Sequence, residues 1–143
     1  MWSVQQRGGG TLAVANDNSL SGNFIVNGGA LDLSHCSSSG LFSVYLESAS
    51  LFHTPQKPSV LSFKSLSMDP LSHIKMNGYS QLVVEKLECT GVLNILLEDD
   101  GFESGKETAT ITSKEPIAAN LKINTPEGYS SRLDNYSINV SKK

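Results

Sequence analysis

Apolar and polar residues alternate along most of this chain, and between Leu61 and Leu97 the alternation occurs twice in the same order. Leu61, Phe63, Leu66 and Met68 are followed 21 residues later by Leu82, Val84, Leu87 and Cys89, and Ile74 and Met76 by Ile95 and Leu97 at the same offset. A period of two is the signature of strands with one buried face, and a helix does not place residues i and i+2 on one side. Each unit therefore reads as three short strands. A repeat of about 20 residues built this way predicts one coil of a parallel β-helix. The expected core stack is Leu61 over Leu82, Phe63 over Val84, Leu66 over Leu87 and Met68 over Cys89.

The N-terminal third carries its own version of the pattern. A glycine turn at Gly8 leads into Leu12 and Val14, and Gly28 leads into Leu31 and Leu33 with an offset of 19. Phe24 and Val26, after Ser21 and Gly22, match Phe42 and Val44, after Ser39 and Gly40, with an offset of 18. Glycine at these corners supplies backbone angles that other residues resist. Coils starting near Leu12, Leu31, Leu61 and Leu82 make about four, a stem roughly 20 Å long at the spacing of paired strands. Residues 48–59, with Pro55 and Pro58, break the pattern and read as a projecting loop, because proline gives no ladder donor.

Beyond Leu97 the offset is lost. Thr108 to Thr112, Ala119 to Ile123 and Tyr136 to Val140 still alternate and are expected to form antiparallel hairpins, with one turn at Pro126, Glu127 and Gly128. The chain thus divides into coils over residues 1–97 and a cap over residues 98–143, which covers side chains and backbone that a stack leaves open. The expected fold is all-β, a right-handed parallel β-helix of about four coils with a C-terminal antiparallel β cap.

Composition sharpens this picture only in places. With 143 residues the chain has room for one domain with a core. Its 17% charged and 7% aromatic residues suit short strands and tight turns. The net charge of −3 and scattered lysines and arginines argue against a nucleic-acid partner. No apolar run is long enough to span a bilayer as a helix, and Met1, Trp2 and the glycine run lack a basic region followed by an apolar core. They read as an internal start within a longer polypeptide. Cys89 takes the place of Met68 and is expected inside, whereas Cys36 falls in a serine-rich turn; the count leaves a bridge between them open.

Candidate chemistry is sparse. His35, His53 and His73 lie on different coils, and no metalloprotease, dithiol or nucleophile-elbow motif occurs. Glu98, Asp99, Asp100 and Glu103 form the one acidic group that suits calcium or a carboxylate pair, although four acids around a glycine also make an ordinary solvated turn. Asn135 and Asn139 start glycosylation sequons. No catalytic, cofactor-binding or metal-binding residue is assigned, and no enzyme activity is expected.

Glycine-led alternating strands, the Leu61 to Cys89 coil pattern, and Tyr79, Gln81, Leu82 and Val84 leading into non-repeating strands together resemble the C-terminal end of a Gram-negative autotransporter passenger of the pertactin type. The resemblance spans about Gly8 to Val140. Phe24 to Asn27 followed by Gly28 to Ala30 is also similar to the FxxN and GGA elements of chlamydial polymorphic membrane proteins, which recur many times there and occur once here. The resemblance implies a structural, folding (autochaperone) segment of a secreted surface virulence or adhesion protein, nucleating the β-helix outside the cell after passage through the periplasm. Its implied partners are the rest of its own passenger, a C-terminal membrane β-barrel and a host cell-surface ligand. Two other classes remain open: a carbohydrate-processing β-helix of the tailspike or lyase kind, and a bactofilin-type polymer.

Overall fold

The computed structural model describes residues 3–14, 21–35, 40–56 and 58–143. Its first twelve strands come in pairs, one in each of two sheets, and the last two both join the first sheet. They are β1 (Ser3–Arg7) and β2 (Thr11–Ala13), β3 (Ser21–Asn27) and β4 (Ala30–Asp32), β5 (Leu41–Glu47) and β6 (Leu51–His53), β7 (Ser59–Met68) and β8 (His73–Met76), β9 (Ser80–Cys89) and β10 (Val92–Leu97), β11 (Glu107–Ser113) and β12 (Lys122–Asn124), and finally β13 (Tyr129–Leu133) and β14 (Ser137–Lys142). The first sheet has the order β1-β3-β5-β7-β9-β11-β14-β13 and the second β12-β10-β8-β6-β4-β2. Neighbours from β1 to β12 run parallel. The protein is thus an all-β parallel solenoid, with about four turns of chain separating β1 from β9.

Register follows the inward side chains. Leu61 pairs with Leu82, Phe63 with Val84, Leu66 with Leu87 and Met68 with Cys89, and Ile74 and Met76 pair with Ile95 and Leu97. Of the eight residues in the Leu61 to Cys89 stack, all but Cys89 are buried hydrophobics, and Cys89 packs half-buried against the same core, as does Leu97. The column extends upward: Phe24 lies on Val44 and Val44 on Leu66. Leu12, Leu31, Phe52, Ile74 and Ile95 form the matching column of the short sheet. Phe42 stacks on Phe63 with ring centroids 4.8 Å apart, and Phe24 and Phe52 meet this pair edge-on.

The structure departs from the sequence pattern in four places. The first two segments of the Leu61 coil fuse into the ten-residue strand β7, because the alternation slips by one residue at Lys64 and Ser65 while the strand continues around a bend. Phe24 pairs with Val44 and Val26 with Leu46, an offset of 20 where the motif match suggested 18; a slip of two keeps every side chain on its own face, so alternation cannot detect it. The described part of residues 48–59 is not a projecting loop. It contains β6, whose Phe52 is fully buried between Leu31 and Ile74, and a strand of three residues with one inward side chain is too short to show a period.

The fourth departure lies past Leu97. β11 and β12 are not hairpin strands but continue both sheets in parallel, Ile111 on Leu82 and Ile123 on Leu93. The step from Leu82 to Ile111 is 29 residues, against 21 from Leu61 to Leu82, because residues 98–106 lengthen this turn. The parallel stack therefore runs through the boundary expected at Leu97, and only β13 and β14 are antiparallel, β14 to both β11 and β13. The turn at Pro126 forms as expected: the Tyr129 amide donates to the Pro126 carbonyl over 3.2 Å, and Gly128 takes a φ of 93°, which favours glycine at this position.

The corners are held by polar ladders. The Ser50 hydroxyl accepts from the Gly28 amide and contacts the Val26 carbonyl, and the Ser50 amide donates to Ser72. Asn94 donates to the Pro70 and Ser72 carbonyls, and Asn124 donates in turn to Asn94. Asp69 accepts from the Ser48 and Leu71 amides and the Ser72 hydroxyl; although burial works against it, these bonds hold its carboxyl below the ordinary value. At the opposite corner Gly78 and Gly101 lie backbone to backbone, and the Gly78 amide donates to the Asp100 carbonyl over 2.7 Å.

Two outcomes follow from the packing. Leu66→Ala should lower unfolding stability by about 2–5 kcal/mol in urea titrations, since its column is closed above and below. Gly78→Ala would place a Cβ 2.3 Å from the Gly101 carbonyl carbon, so it should cost about 1–3 kcal/mol, read from the same titrations, although the residue is not in the apolar core.

Candidate functional site

The C-terminal end is where repetition stops and specific contacts begin. Residues 98–106 follow β10 and run from the Gly78 corner of the preceding coil to β14, where the Gly105 amide donates to the Lys142 carbonyl, and Phe102 meets Tyr129 edge-on at 5.4 Å. With Val140 these two form a second small core, and half-buried Leu97 packs against it. The Tyr129 hydroxyl donates to Asp99, and the Lys142 ammonium lies 3.8 Å from the same carboxylate. Burial, reinforced by this hydrogen bond and the Asp99 charge, pushes the Tyr129 phenol up to about 12. Arg132 donates from two nitrogens to both oxygens of Glu107, tying β13 to β11 across β14, and this bond holds the Glu107 carboxyl below its usual range.

The four acids singled out in the sequence have separate partners. Asp99 is bound to Tyr129, Glu103 pairs with Lys106 at 2.7 Å, Glu98 faces His53, and Asp100 lends its backbone carbonyl to Gly78. Among the described residues no three His, Cys, Asp or Glu side chains are placed to share one metal ion, so the calcium reading of these four acids gains no geometry. The three histidines are on the outside: His35 is exposed after β4, and His53 and His73 lie on β6 and β8. Asn139 is buried and donates to Ser137, which leaves no room for a glycan, whereas Asn135 is exposed.

Cys89 carries a free thiol donating to the Val92 carbonyl. Burial and the nearby Asp69 charge push it up to about 11, so it is a packing group and a poor nucleophile. Cys36, and with it the bridge left open above, lies outside the described residues.

A groove of about 860 Å³ crosses the outer face of the long sheet at the bend of β7, with Ser43, Tyr45, Lys64, Ser65, Glu85 and Lys114 in its lining. Ser65 donates to Ser43 along its floor. Glu85 is the one carboxylate among the lining residues, so the paired acids of polysaccharide cleavage are not brought together there. Sequence reasoning missed this groove, because its lining comes from several coils, from Gly22 to Lys114.

No family model, curated protein or solved structure matches this chain.

The tie between Tyr129 and Asp99 can be measured. Tyr129→Phe should cost about 1 kcal/mol, at the low end for a bond to a carboxylate because Asp99 is largely exposed. The folded protein holds the phenolic proton more tightly than the unfolded chain does, so stability should fall as pH rises from about 10, the ordinary tyrosine value, to about 12. Alkaline denaturant titrations should show that slope reduced in Tyr129→Phe, with a remainder from Cys89.

Proposed function

We propose that this chain is a structural and folding segment of a surface-displayed β-solenoid, of the kind found at the C-terminal end of Gram-negative autotransporter passengers, and that it acts without catalysis. The observation that carries the reading is the difference between the two ends of the stack. At one end, β1 and β2 are the edge strands of their sheets, with open ladder positions. At the other, β12 is the edge of the short sheet, but the long sheet turns antiparallel through β14 and β13, over a second core of Phe102, Tyr129 and Val140.

Such asymmetry suits growth in one direction. Forming a first coil requires pairing strands 20 or so residues apart, and the loop entropy is lost before contacts compensate it. A coil that lands on an existing edge gains a full ladder and apolar burial at once. The antiparallel cap on the long sheet makes this segment the one that nucleates, and the edge at β1 and β2 is the template for coils elsewhere in the passenger. In this reading the segment emerges through a membrane β-barrel of the same polypeptide, folds at the cell surface and carries an adhesion or virulence function housed in other coils.

The test is deletion of residues 115–143, which removes β12, β13 and β14 and uncovers Ile111 and Leu93. The truncated chain should aggregate and melt at lower temperature. A truncated chain that stays soluble, monomeric and equally stable in ultracentrifugation and thermal melts means that the end is not a nucleating cap.

A further inference from the structure

On the outer face of the short sheet, side chains from three coils meet around one imidazole. Asp32 ends β4, His53 ends β6, and Glu98 directly follows β10. Asp32 Oδ1 lies 3.6 Å from His53 Nδ1, and Glu98 Oε1 lies 3.6 Å from His53 Nε2. The Gln56 amide nitrogen approaches the same Nε2 at 3.0 Å. Neither carboxylate contact is short enough to be a hydrogen bond. Glu98 Oε1 is nevertheless buried and has no hydrogen-bond partner, an arrangement that costs free energy unless something positive sits between the two atoms.

A metal ion meets that description. Nitrogen and oxygen donors bind a tetrahedral zinc ion at about 2.0–2.1 Å and so lie about 3.3 Å from each other; 3.6 Å is too long for a hydrogen bond and close to this separation. We infer that His53 Nε2 and Glu98 Oε1 are ligands of a divalent first-row transition ion of the zinc type, with Asp32 behind Nδ1 as a positioning residue. Imidazole with carboxylate is a donor set for such ions, and a carboxylate on the second ring nitrogen fixes the tautomer that leaves Nε2 free to ligate.

Gln56 supplies a third donor, its amide oxygen, once the amide turns over. That rotation gives up the 3.0 Å bond from the Gln56 amide nitrogen to His53 Nε2 and two bonds of 3.3 Å, to the Thr54 carbonyl and from Asn77, while Asn77 keeps the Gln56 backbone carbonyl at 3.1 Å. Solvent completes the shell, since His53 and Glu98 are 23% and 36% exposed. The charges favour a cation: two carboxylates, Asp32 and Glu98, stand against one ammonium, that of Lys75, which pairs with His53 in the ladder. Burial works against the charged form of Asp32, but bonds from Ser34 and the two histidines hold its carboxyl below the ordinary value. An ion there would clip the coil of β6 to that of β10, with the coil of β8 between them.

The experiment is calorimetric titration of the full chain with zinc chloride. One saturable site is expected, lost in His53→Gln and in Glu98→Ala, weakened about 10- to 100-fold in Asp32→Asn, tightened in Lys75→Gln and unchanged in His73→Gln. Absence of saturable binding at millimolar zinc, or binding that survives both His53→Gln and Glu98→Ala, overturns the assignment. Because variants can misfold, imidazole nitrogen NMR on the unaltered chain gives an independent reading: zinc should move the His53 signals and leave those of His73, and the reverse pattern overturns the proposal.

Discussion

The constraint behind this structure is the parallel ladder. Each inward side chain finds its neighbours one coil above and one coil below, so every coil must return to the same place with its apolar residues in the same register. Phe24, Val44, Leu66 and Leu87 fill one such column, and Leu12, Leu31, Phe52, Ile74 and Ile95 another. Turn length is free to vary as long as the strands return in phase. That is why steps of 19, 21 and 29 residues coexist in one stack.

Corners obey a second requirement. The chain reverses direction beside the corners of neighbouring coils, and its backbone groups there have no strand to pair with, so side chains must satisfy them. Ser50, Ser72, Asn94 and Asn124 do this along one edge, each bonded to the coil before it. Where coils approach too closely for any side chain, Gly78 and Gly101 take the place. Ser48 and Ala49 adopt φ values of 59° and 60° at a corner where another coil has Gly28, a conformation that Cβ disfavours, and the Asp69 bond to the Ser48 amide helps to hold it.

An open stack would propagate its edges indefinitely, and the antiparallel strands end that in the long sheet, at one side only, while the short sheet ends on β12. β14 reverses direction against β11, and β13 reverses again, so the final edge no longer continues the parallel pattern of the coils. The folding role proposed above rests on this polarity.

Residues 61–97 by themselves determined the all-β class, the coil and its register, because two adjacent coils of nearly equal composition placed six apolar positions at one offset. They also located the Leu61 to Cys89 core stack and, by the loss of that offset, the place where the regular pattern ends. Tertiary structure decided the rest. Alternation reports a face but not a partner, so the pairing of Phe24 with Val44 in place of Phe42 came only from the ladder. A three-residue strand such as β6 has no period to read, and the long turn before β11 hid a parallel continuation. The outer groove and the meeting of Asp32, His53 and Glu98 depend on which side chains the coiling brings together from residues 21 and 45 positions apart, and no local pattern along the chain encodes that distance.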